Sequence, residues 1–75
     1  MPEVNITGWS PGVETTRCVQ LLHSAAGLSM VDAKQMMERV LQGEAQHIPI
    51  RSEGDARLIA AALGKLGVTA KVKTA

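Results

Sequence analysis

The 75-residue sequence predicts a single α+β domain, a two-layer β-α-α-β-α-β sandwich with three helices on one face of a small three-stranded sheet. Three observations carry that prediction. Short period-two segments stand near both ends of the chain, at Val4-Asn5-Ile6-Thr7 and Val68-Thr69-Ala70-Lys71-Val72-Lys73, as half-buried strands require. Between them, Gly27-Leu28-Ser29 leads into Met30, Ala33, Met36 and Met37, which with Leu28 recur at the spacing of one buried helical face. A glycine accepts the left-handed conformation of a sharp stop, so two helices can meet there with almost no linker.

In chain order, Val4 and Ile6 form the first strand, which Gly8 is expected to end. Ser10-Pro11 offers an N-cap followed by proline at the first helical position, where a missing N–H costs nothing. The first helix is expected to turn Cys18, Leu21, Leu22 and Ala25 inward and Thr15, Val19, Gln20 and His23 outward, and to stop at Gly27. Ser29 caps the second helix, with Asp32 three residues on, and the apolar pattern runs through Val40 and Leu41 to Gly43. Residues 42 to 47 read as a connector. Ile48-Pro49-Ile50 is extended, and proline cannot donate to a ladder, so an edge strand or irregular segment is expected. Ser52-Glu53-Gly54-Asp55 opens a third helix with Ala56, Ile59, Ala60 and Leu63 inward, and Gly67 stands where a left-handed cap is wanted before the last strand.

Composition narrows the function classes. At this length a domain buries only about 60% of the surface that its unfolded chain exposes, so residues 1–75 hold one domain. Hydrophobic residues make up 45% and charged residues 20%, the balance of a globule rather than of a disordered segment. Trp9 is the only aromatic residue, so the core is expected to be aliphatic. Eight basic and seven acidic residues give a net charge of +1, and the cations are scattered singly with no aromatic platform beside them. No direct nucleic-acid binding is therefore expected. The N-terminus lacks the basic flank and apolar run of a signal peptide, and no stretch approaches the roughly 18 apolar residues of a membrane span. With one cysteine and no internal disulfide, a cytoplasmic protein without membrane association is the expectation.

Chemistry-bearing clusters are sparse. His23 and His47 are the only imidazoles, and neither has a nucleophile at a spacing that would make an acid–base pair. Cys18 and His23 diverge by roughly 140° on a helix and cannot share a metal. Met30, Met36 and Met37 with Cys18 are soft enough for copper(I), but core spacing accounts for them as gap-filling side chains. There is no glycine-rich phosphate loop and no nucleophile-elbow signature. No enzyme activity, metal or cofactor is expected. Val19, Val31, Leu58, Ala61 and Ala62 fall off the inward helix faces, and a contiguous set of them would make a docking patch.

The stretch Gly27-Leu28, Met30, Ala33-Lys34, Met36-Met37 and Glu38, together with Ser52 through Ala56, Ile59, Leu63 and Gly67, resembles the C-terminal domain of the bacterial large-subunit ribosomal stalk protein, the L-seven/L-twelve family. The likeness runs from about Val4 to Lys73, and the same fold is shared by the Clp protease adaptor. The resemblance implies a non-catalytic module that recruits translation factors through the outward face of the first helix and the start of the second. In that family lysine or arginine occupies the positions held here by Thr15, Gln20, His23 and Val31, while an apolar contact is kept as Val19 and a lysine as Lys34. Replacing about four cations with neutral groups weakens any docking that depends on charge steering. The expected partner-binding set is Val19, Gln20, His23, Val31 and Lys34, with a protein partner of the translation-factor type. Family members also carry an N-terminal dimerisation segment and a hinge that these 75 residues do not include, so a standalone domain that reuses the fold for another partner is expected, with a piece of a longer chain as the alternative. A homodimer through Val31, Leu58, Ala61 and Ala62 is the competing expectation.

Overall fold

The computed structural model describes residues 2–73 and contains β1 (Glu3–Trp9), α1 (Thr15–Ala26), α2 (Met30–Leu41), β2 (Gln46–Pro49), α3 (Glu53–Lys65) and β3 (Val68–Lys73). The strands form one antiparallel sheet in the order β2-β1-β3, so the N-terminal strand is central and both later strands are edges. This is the three-helix, three-stranded α+β sandwich that the sequence predicts.

Val4 and Ile6 of β1 are fully buried, and their partners Ile48 on β2 and Val72 and Ala70 on β3 point to the same face. Helices α2 and α3 lie against that face over β1, α2 reaching also toward β2 and α3 toward β3, while α1 makes its close approaches to α2 and α3. The core is aliphatic throughout: Leu22, Met37, Val40, Ile59 and Leu63 close over the sheet, and Ala33 and Ala56 are fully buried where a larger side chain would hold the helices apart. No polar or charged residue is buried among those described, so the stabilising term is apolar burial, about 25 cal/mol per Å². Ser29 and Ser52 cap α2 and α3 as expected, their hydroxyls accepting from the backbone N–H of Asp32 at 3.1 Å and of Asp55 at 3.2 Å. Each such cap contributes about 1 kcal/mol.

Four local expectations are corrected. Gly8 does not end the first strand: pairing steps from Ile6↔Ala70 to Gly8↔Thr69, so Thr7 is an extra residue in a bulge and the strand runs on to Trp9 opposite Val68. The first helix does not start at Ser10-Pro11. The Ser10 backbone N–H and hydroxyl both donate to the Gly67 carbonyl, at 2.9 and 3.2 Å, so Ser10 fastens the loop to the start of β3, and α1 begins at Thr15 without a side-chain cap. Val19, expected outward, is 6% exposed and belongs to the core, whereas Ala25 is exposed and Leu21 only half-buried. The stripe that α1 buries is Cys18, Val19 and Leu22, with Thr15 and Ala26 half-buried at its ends. Cys18 and Leu22 fit both stripes, and the one containing Val19 is used because α1 must rest on two helices at once. Finally, Met30 is 39% exposed rather than buried, because it opens α2 and helical side chains lean toward the N-terminus, past the last turn that could cover them.

Candidate partner-binding surface

The corner between α1 and α2 fixes the candidate surface. Gly27 takes the left-handed conformation at φ +76°, its N–H donating to the Leu22 carbonyl, and the Leu28 N–H reaches the same carbonyl at 3.3 Å. The His23 ring closes the corner: its Nδ1 donates to the Leu28 carbonyl at 2.7 Å, which assigns the proton to that nitrogen because a carbonyl can only accept. His23 is therefore committed to holding the turn, leaving Nε2 to solvent. Ser29 then caps α2 without a linker.

Of the five residues expected to bind a partner, Gln20, His23, Val31 and Lys34 are exposed. Val19 is not available, since its side chain is buried in the stripe of α1 that meets α2 and α3. Exposed apolar surface is present elsewhere: Val31 is 63% exposed and stands beside exposed Met30 in the first turn of α2. Val31 lies on the crest of α2, opposite the buried Ala33, Met37 and Val40. His23 and Val31 flank the corner, and Gln20 and Lys34 stand one turn farther along their helices. Met30 was missed by sequence reasoning because its spacing to Ala33 and Met37 matches the core; its place as the first helical residue was the available signal.

On the flank of α2 that faces β2, Leu28, Asp32, Gln35, Met36, Arg39 and Gln46 line a shallow cleft of about 260 Å³ with a half-buried apolar floor. It adjoins Val31 through Asp32. A larger open cleft of about 500 Å³ separates the end of α1 from the Pro49–Arg51 turn and the start of α3, with Ser24, Arg51 and Asp55 as its polar side chains. Cys18 is fully buried, and burial pushes its thiol pKa up, with the nearby Glu14 charge acting in the same direction. A buried thiol held in its protonated form is a core side chain, not an activated nucleophile. Among the described residues no three His, Cys, Asp or Glu side chains converge in a way that could hold a metal ion.

No family model and no curated protein matches the chain. Among the described residues no helix is long and apolar enough to cross a membrane.

The competing self-association set is divided by the fold. Leu58 is 71% exposed and shares one face of α3 with exposed Ala61, while Ala62 is half-buried. Val31 belongs to α2, and the two helices are joined chiefly through α1.

Proposed function

We propose that this chain is a non-catalytic, cytoplasmic protein-interaction module, similar in role to the ribosomal stalk C-terminal domain, with a translation factor as its partner. The observation that carries the reading is the exposed Met30–Val31 pair on a corner already fastened by the His23 and Ser29 hydrogen bonds. A surface ordered before binding loses little entropy on docking. Val31 supplies the apolar anchor in place of the buried Val19, Lys34 the charge, and Gln20 and His23 a polar border. The cleft beside Met36 gives room for one apolar side chain of the partner. So small a surface with one retained lysine implies modest affinity and little charge steering.

An NMR titration of the isotope-labelled chain with elongation factor G tests this. Amide shifts confined to 20–23 and 28–36, lost in Val31→Asp and weakened in Lys34→Glu, are the expected result. Unchanged binding by both variants, or no shifts at high excess of factor, overturns the translation-factor reading. Exposed Leu58 and Ala61 favour a second reading, self-association through α3, for which sedimentation over a wide concentration range is the check. A monomer at every concentration removes it.

A further inference from the structure

We infer that the outer edge of β3 is a docking site for an acidic extended segment of a partner protein, which adds to the sheet as a fourth strand. In the order β2-β1-β3 both flanking strands have one open side, and an antiparallel edge strand leaves alternate backbone N–H and C=O groups without ladder partners. The two edges are unequal. Strand β2 has four residues and ends on Pro49, which has no N–H to offer a further strand. Strand β3 has six residues, no proline and the strand-forming sequence Val-Thr-Ala-Lys-Val-Lys.

The side chains of β3 specify the occupant. On the helix-covered face Ala70 and Val72 are only half-buried, because nothing among the described residues lies beyond them to complete their burial. On the open face Lys71 and Lys73 are exposed, and no ion pair among the described residues engages either. Glu3 stands opposite Lys73 in register, but its carboxylate lies 3.7 Å from His47 Nδ1 on the other side of β1. A second copy of β3 paired about Lys71 or Val72 would bring lysine against lysine, which opposes those registers between copies. A strand with apolar residues toward Ala70 and Val72 and carboxylates toward Lys71 and Lys73 meets both faces and the backbone together.

The test is an NMR titration of the labelled full chain with three capped peptides the length of β3: one alternating glutamate and valine, one alternating lysine and valine, one alternating glutamate and proline. The glutamate–valine peptide is expected to shift the amides of Val68–Lys73 and slow their hydrogen exchange, with the other two at least roughly tenfold weaker. Lys71→Glu combined with Lys73→Glu is expected to reverse the preference in favour of the lysine–valine peptide. Equal binding of the glutamate–proline peptide would show attraction of charge without strand pairing and overturn the inference. Binding of none of the three, meaning that the lysines only blunt the edge, or concentration-dependent shifts along β3 without peptide, meaning that the occupant is a second copy, would also overturn it. The amides read here are separate from those at the α1–α2 corner, so this result stands or falls apart from the proposed function.

Discussion

Gly67→Ala should be the most damaging single-methyl addition in this chain, and two other glycines provide its controls. Gly12, Gly43 and Gly67 have φ of +91°, +91° and +96°, so an alanine at each bears a similar left-handed backbone cost, roughly 1–2 kcal/mol. Their surroundings differ. A Cβ at Gly12 or Gly43 meets nothing within 4 Å, whereas one at Gly67 lies 2.8 Å from the Val13 Cα and 3.3 Å from its N and Cβ. The obstacle is backbone, and it cannot swing aside, because the same loop is tied to the α3–β3 junction by the Ser10 bonds to the Gly67 carbonyl and by the Glu14 N–H to the Leu66 carbonyl at 2.9 Å. Overpacking of that kind adds about 1–3 kcal/mol. Gly67→Ala should therefore cost about 2–5 kcal/mol against about 1–2 for Gly43→Ala. A domain of this size has about 4–11 kcal/mol to lose, so the first change takes a large fraction of it. Urea unfolding followed by far-UV circular dichroism measures both, and in thermal melts each kcal/mol should appear as about 4–8 °C. Losses that agree within about 0.5 kcal/mol would refute the claim that the approach of Val13, beyond the dihedral, is what demands glycine at position 67.

Two further outcomes follow from burial. Val19→Thr places a hydroxyl in the core and should destabilise by about 1–3 kcal/mol, while Val31→Thr on the exposed crest of α2 should stay within about 0.5 kcal/mol, both read from urea midpoints; equal effects would contradict the assignment of Val19 to the core. Cys18 should resist a thiol reagent in the native protein and react on unfolding. Its folded pKa is raised by burial, so the unfolded chain loses the thiol proton first; stability is undiminished below the unfolded thiol value, about 8.5, and falls as pH climbs through the folded one. Cys18→Ala should remove that part of the alkaline decline, and an unchanged decline would show that other groups cause it.

The parts of the fold legible in the sequence were those set by chain-local rules. The Ser29 and Ser52 caps, the left-handed Gly27 and Gly67, the period-two β3 and the proline-marked edge β2 each depend on a residue's own backbone preferences or its nearest neighbours. What sequence reasoning missed depends on contacts between distant segments. Ser10 looks like a cap, but its hydrogen bonds go to a carbonyl 57 residues away. The bulge at Thr7 is fixed by pairing with β3; the signal in β1 itself, Gly8 inside the strand, fits a strand end as well as a bulge. On α1, Cys18 and Leu22 are common to two apolar stripes, and only the presence of helices on both sides selects the stripe with Val19.

That last choice governs the candidate site. Burying Val19 removes the apolar contact from α1 and leaves α1's contribution polar, through Gln20 and His23, so a partner seeking an apolar hold must take it from α2. Met30 and Val31 can provide it because the corner has no linker: the turn that leaves Met30 uncovered is the turn that His23 and Ser29 hold rigid. Helix α3 stands between this surface and the edge of β3, since α2 lies toward β2 and α3 toward β3 on either side of the central strand. A globular partner on the corner and an acidic strand on β3 would thus engage opposite flanks, and neither would need the other to leave.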